Sequence, residues 1–209
     1  MKRFSLYITE AASMKIMLLG GPGSGKSTYS EAISKHFGIP HIYPGDVLRK
    51  STDPKVKALL SKGEFAPLDV VVKIIKQQIA KSPDGYILDG FPRNMEQLKE
   101  MNRSNIEVNR VVYLDVSEAE VVRRLTARGR ADDTPSIIKN RLKVYQKETG
   151  PVVDYYKGRK EFLNIKAEGG TPEGVSDKII KELTDDYDIP RSTSGDADPG
   201  LSKRISFIR

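Results

Sequence analysis

The residues of this chain best suited to chemistry stand together in Gly20-Gly21-Pro22-Gly23-Ser24-Gly25-Lys26-Ser27-Thr28. A loop this rich in glycine can turn its backbone N–H groups onto phosphate oxygens, an approach that leaves no room for Cβ atoms. Lys26 adds a mobile positive charge, and Ser27 a hydroxyl within reach of Mg²⁺. The strand-like run Lys15-Ile16-Met17-Leu18-Leu19 precedes the loop and a helical pattern follows it, so the positive end of a helix dipole meets the same anion. A glycine-rich turn with a stray lysine would explain the residues but not their placement between strand and helix. The expected ligand is a nucleoside triphosphate.

The other candidates are cations. Arg49, Arg93, Arg124, Arg128, Arg130 and Arg141 are scattered along the chain, as expected if they converge on one polyphosphate. The net charge of +7 invites a nucleic-acid reading, but a basic tract gripping DNA is more often contiguous or patterned along one helix. Phosphate substrates account for much of the excess, and nucleic acid is not the expected partner. Each arginine could also be a solvated side chain. For Arg124 and Arg128, four apart on a helical pattern, that reading is a common one. With no cysteine, thiolate catalysis, disulfides and cysteine-bound zinc are excluded. The two histidines, His36 and His41, are read as packing or turn residues, and Tyr155-Tyr156 as core. No apolar run approaches the ~20 residues of a membrane helix, so no membrane partner is expected.

These residues need a frame that alternates strand and helix. Strand patterns fall at 16–19, 41–43, 86–88, 110–114 and 162–165. Helical patterns fall at 26–37, 45–49, 67–80, 94–101, 118–128, 136–148, 152–160 and 172–187, with Val71, Ile74, Ile75 and Ile79 forming an apolar stripe. Strands separated by helices imply a parallel sheet covered on both faces, with ligands at the strands' carboxyl ends. Asp46, Asp89 and Asp115 fall at or just after strand ends, on that edge.

From about Met14 to Asp186 the chain resembles the nucleoside monophosphate kinases, and the adenylate kinase family most closely. The resemblance rests on motifs in the family's order. After the glycine-rich loop come Pro44-Gly45-Asp46-Val47-Leu48-Arg49, Lys62-Gly63-Glu64-Phe65-Ala66-Pro67 and Asp89-Gly90-Phe91-Pro92-Arg93-Asn94. Arg124 with Arg128, Arg130-Ala131-Asp132-Asp133 and Arg141 complete the set. It implies an α/β three-layer P-loop fold: a five-stranded parallel sheet with helices on both faces, a helical monophosphate-binding insert and a very short lid. The kinase domain would span 14–187, with the insert at 44–80 and the lid at 128–136, between an extension at 1–13 and a basic tail at 188–209. The activity implied is reversible Mg²⁺-dependent phosphoryl transfer from ATP to AMP, giving two ADP.

The roles the resemblance implies are as follows. Gly21, Gly23, Ser24, Gly25, Lys26, Ser27 and Thr28 wrap the ATP phosphates, with Arg124 flanking the adenine, Arg128 near the phosphates and Gly169-Gly170 near the base. Pro44, Gly45, Arg49, Glu64, Phe65, Ala66, Gly90, Phe91, Pro92, Arg93 and Gln97 form the AMP site. Lys26, Arg93, Arg130 and Arg141 act on the transferring group, the last two arginines also meeting AMP. Ser27 and Asp89 serve the metal, Asp89 through water. Asp132 and Asp133 are read as hinge and helix-start contacts to arginines. The physics agrees, because a phosphate acceptor is already anionic and needs cations rather than a general base. A kinase for an alcohol would want a carboxylate beside the hydroxyl, for which Asp46 is available.

Three departures stand out. Position 27 is commonly glycine in the adenylate kinase family, whereas Ser27 brings a hydroxyl to the metal. Pro44 replaces a threonine (alanine in uridylate–cytidylate kinases), while Gln97 keeps an amide suited to adenine and Asn94 leans the other way. UMP or CMP therefore remains the alternative acceptor. The third is the lid, where only Gly129 separates Arg128 from Arg130. The protein is expected to be a cytoplasmic monomer. Met1–Ala11 resembles the head-targeting leaders of internal proteins of tailed bacteriophages, with Ile8-Thr9-Glu10 at the cleavage pattern; an ordinary extension or an upstream start before Met14 are the other readings. Leu201, Ile205 and Ile208 would share one face of a tail helix, which leaves open a kinase-like body that senses nucleotide or binds nucleic acid.

Overall fold

The computed structural model describes residues 14–61, 66–129 and 133–185. Its centre is a sheet of β1 (Met14–Gly20), β2 (His41–Ile42), β3 (Gly85–Asp89), β4 (Arg110–Asp115) and β5 (Phe162–Lys166), all parallel, in the order β2-β3-β1-β4-β5. Successive side chains of a strand alternate between faces, and here both faces are covered, so β1 reads as a continuous apolar run. Ile16 and Leu18 join Ile87, Val112, Tyr29, Ile33, Ile179 and Leu183 on one side. Met17 and Leu19 join Leu88, Val111, Val72, Ile75, Leu98 and Val152 on the other. Ile33, Ile75 and Ile179 are fully buried, each worth about 1.5–3 kcal/mol relative to exposure.

The helices are α1 (Lys26–Phe37), α2 (Pro44–Arg49), α3 (Pro54–Ser61), α4 (Leu68–Ile79), α5 (Met95–Arg103), α6 (Glu118–Arg128), α7 (Pro135–Val144), α8 (Gly150–Tyr156) and α9 (Pro172–Asp185). α1 and α9 cover the first face; α4, α5 and α8 cover the second. A smaller cluster of Val121, Leu125, Ile138 and Leu142 joins α6 to α7. The chain leaves β1 for β2 and β3 on one side and β4 and β5 on the other. The carboxyl end of β1 is therefore the switch point where α/β folds bind ligands.

The α/β expectation holds, with three local differences. α3 lies where no helix is expected from sequence. Its start is set by Asp53, whose Oδ1 accepts from the Lys55 N–H at 2.8 Å, with Pro54 in the first turn. The helix expected over 136–148 ends at Val144, and a π-helical turn at Tyr145–Thr149 carries the chain into α8. That helix stops at Tyr156 rather than 160, where Lys157 turns extended and Gly158 takes φ +82°. Tyr156 is buried as expected, while Tyr155 is half-buried beneath Arg159.

Candidate active site

The phosphate-binding loop has the geometry its residues require. Gly25 caps α1 at φ +93°, and a Cβ there would lie 2.6 Å from the Tyr29 ring. Lys26 folds back across the loop, its Nζ donating to the carbonyls of Gly20 at 2.6 Å and Gly21 at 2.8 Å. Burial, with repulsion from Arg93 and Arg141 and despite attraction to Asp89, pushes the Lys26 amine down to about 8. Carbonyl oxygens thus hold a cation that phosphate oxygens would hold better.

Three elements meet at Asp89, which ends β3 and is buried. Ser27 Oγ, in the first turn of α1, donates to Asp89 Oδ2 at 3.1 Å, and His41 Nε2 of β2 lies 3.3 Å from the same oxygen. A hydroxyl and a carboxylate beside the phosphate loop are hard oxygen donors of the kind Mg²⁺ takes. No group of three or more His, Cys, Asp or Glu forms a metal cage among the described residues. Mg²⁺ usually keeps several waters and needs few protein ligands when phosphates are present, so the donor set fits. His41 is more than the packing residue its sequence context suggests.

A cavity of about 840 Å³ opens from the loop, large enough for a nucleotide. Lys26, Arg93, Arg123, Arg124, Arg128 and Arg141 all line it. Arg124 and Arg128 are not simply solvated. Arg124 donates from Nη2 to the Ala167 carbonyl at 2.6 Å and from Nε to Glu120 at 2.7 Å, tying α6 to the segment after β5. Arg128 makes paired bonds of 2.8 and 2.6 Å with Asp133, whose side chain is fully buried. Arg141 Nη1 reaches the same carboxylate at 3.3 Å. One buried anion thus collects arginines from both sides of the α6–α7 connection, as expected for Asp133. Gly170 lines the cavity beside Pro172; Gly21 and Gly169 flank residues that do.

The acceptor side is built on the turn after β3. Arg93 Nε donates to the Gly90 carbonyl at 2.8 Å, and Thr149 Oγ1, in the π-helical turn, donates to the Arg93 carbonyl at 2.8 Å. Gln97 Oε1 accepts from the Arg93 N–H at 2.7 Å. Asn94 caps α5, its Oδ1 accepting from the Gln97 N–H at 2.9 Å. That bond gives Asn94 a structural task. Gly90 and Pro92 line the cavity, but Phe91 is packed in the core beneath the turn. Pro44, Gly45, Arg49, Ala66 and Gln97 do not line it. Arg49 pairs instead with Asp46 and with Tyr43, whose hydroxyl leads the causes holding the guanidinium above its ordinary range. Glu64, Phe65, Arg130, Asp132, the extension 1–13 and the tail 188–209 lie outside the described residues.

Tyr43, Tyr145, Glu148 and Pro172 line the cavity without having been singled out from the sequence. Tyr43 and Pro172 had a readable signal, since each adjoins a motif at a strand's carboxyl end. Tyr145 and Glu148 owe their place to the π-helical turn, which leaves no mark in hydrophobic spacing.

The family model described as adenylate kinase matches residues 18–161. An adenylate kinase of Corynebacterium urealyticum is 38% identical over 182 residues, covering 81% of this chain and 99% of that protein. One from Mycolicibacterium smegmatis is 38% identical over 172 residues, 77% of this chain and 94% of the relative. One from Prochlorococcus marinus subsp. pastoris is 37% identical over 164 residues, with coverages of 74% and 89%.

Proposed function

The chain belongs to the adenylate kinase family, and from that premise we propose that it transfers the γ-phosphoryl group of ATP to AMP, reversibly, giving two ADP. The observation that carries the reading is the convergence of Lys26, Arg93, Arg124, Arg128 and Arg141 on one cavity. Both reactants are anions, and cations must bring them together and spread charge as the phosphoryl group moves. Lys26 exchanges its carbonyl partners for the β- and γ-phosphates. Arg124, Gly170 and Pro172 take the adenine of ATP, and Arg128 its phosphates. Arg49 and Arg93 hold the AMP phosphate, and Arg141, with Arg130, the transferring group. Asp46, engaged with Arg49, is poorly placed to activate an alcohol acceptor.

Ser27 and Asp89 would hold Mg²⁺, Ser27 directly and Asp89 through water. When bound, the cation neutralises part of the phosphate charge. His41, sharing the Asp89 oxygen, keeps that carboxylate oriented. We further propose that the protein acts as a cytoplasmic monomer.

AMP is favoured by Gln97. Its oxygen accepts from the Arg93 N–H, and its amide nitrogen supplies N–H donors for a base. Adenine and cytosine present an unprotonated ring nitrogen to such a donor, whereas guanine and uracil present N–H, so the amide disfavours GMP and UMP while CMP is separated by the acceptor panel. The hydroxyl missing at Pro44 costs on the order of 1 kcal/mol, too little to reverse that preference. A panel of AMP, dAMP, GMP, UMP and CMP with MgATP tests the assignment. AMP is expected to turn over fastest; faster turnover of CMP or UMP overturns it.

A further inference from the structure

Tyr43 carries no role in the reaction as set out above, yet it occupies the ground between the two acceptor-side arginines. It follows β2 immediately, opens α2 and lines the cavity. Its hydroxyl accepts from Arg49 Nη1 at 3.4 Å, and the guanidinium carbon of Arg49 lies 5.2 Å from its ring centroid. At its other edge the ring meets Gly90. A Cβ there would stand 3.3 Å from Tyr43 Cε2 and 3.1 Å from Arg93 Nη2, so ring and second guanidinium converge over a bare glycine. Gly45 makes room in the same way, since its Cβ would lie 2.9 Å from Tyr43 Cζ. The His41 ring runs nearly parallel to it, with 9° between planes and centroids 6.1 Å apart.

Arg49 otherwise has little to hold it. Its side chain is 58% exposed, and its remaining partner is the equally exposed Asp46 of the same short helix. An exposed i,i+3 ion pair fixes a long side chain weakly, and a free arginine must be ordered at the moment of binding. An aromatic face beneath the guanidinium removes part of that ordering before the ligand arrives.

We propose that Tyr43 is a positioning residue for the acceptor phosphate, its ring and hydroxyl holding the Arg49 guanidinium at a fixed spacing from Arg93 while Asp46 takes the other guanidinium nitrogen. The proposal rests on the monophosphate reading of this site. The ligand class is a phosphate monoester, and the effect belongs to the acceptor rather than to ATP.

A double-mutant cycle tests it, using Tyr43→Phe, Tyr43→Ala, Arg49→Ala and Tyr43→Ala with Arg49→Ala in the full chain. KM and kcat are measured for each substrate, with calorimetric binding of AMP alone. Tyr43→Ala is expected to raise the KM for AMP on the order of tenfold while the KM for ATP stays within about twofold, and Tyr43→Phe to fall between. In the Arg49→Ala background, Tyr43→Ala should add less than about twofold, because the group it positions is gone. Equal losses for ATP and AMP, or a full additional loss in that background, would overturn the proposal. Should Tyr43→Ala fail to fold, Tyr43→Leu keeps the bulk without the aromatic face or hydroxyl and completes the cycle. If the wild-type protein prefers another monophosphate, the cycle is run with that acceptor, so failure of the base assignment and failure of Tyr43 are read separately.

Discussion

Lys26 ties the chemistry of this site to pH. Burial pushes its amine down from the ordinary 10.5 to about 8. Below about pH 8 the folded protein carries a buried charge at a cost to stability, and between the two values the unfolded chain binds the extra proton, so this contribution to stability rises with pH. Nucleotide binding has the opposite sense, because phosphate oxygens favour the ammonium form. ATP should therefore bind about tenfold more weakly at about pH 9 than at about pH 7, with proton uptake on binding at the higher pH. Calorimetry in buffers of different ionisation enthalpy measures both; a dissociation constant flat across that range would refute the linkage. The role of Lys26 was legible because its neighbours are prescribed by spacing. Those of His41 and Tyr43 were not, since each depends on a partner more than forty positions distant or on a ring orientation that spacing does not encode.

At the scale of elements, strand and helix types were readable throughout the sheet, where parallel strands are apolar on both faces and the intervening helices keep a regular stripe. Boundaries were less so. Helical spacing runs through 136–148, yet a π-helical turn at Tyr145–Thr149 brings Tyr145 and Glu148 to the cavity and Thr149 to the Arg93 carbonyl. Such turns often occur at functional sites. α3 escaped detection because its start depends on one side-chain cap. A cap also links stability to function in α5. Asn94→Ala removes the bond to the Gln97 N–H and should cost about 1 kcal/mol of stability, measured by urea denaturation. The same change loosens the first turn that carries Gln97, so the KM for AMP should rise while that for ATP does not. A loss of stability with both values unchanged would make Asn94 a cap and nothing more.

For the whole molecule, part of the excess of basic residues is accounted for by convergence, with arginines distant in sequence meeting at one cavity. The connection between α6 and α7 is only six residues, 129–134. A closing segment that excludes water suppresses hydrolysis of the bound triphosphate. As the lid that the family resemblance implies, so short a segment should exclude it incompletely. Without AMP the protein should hydrolyse ATP at a measurable rate, above that of a Lys26→Ala control prepared identically; equal rates would sink the expectation. The ends of that connection are nonetheless firmly rooted. Gly129 closes α6 at φ +63°, and Asp133 is buried against Arg128 and Arg141. Because the Arg128–Asp133–Arg141 ion cluster is assembled by α6 and α7 themselves, the length of chain between Gly129 and Asp133 can change without dismantling it, provided an arginine equivalent to Arg130 is kept.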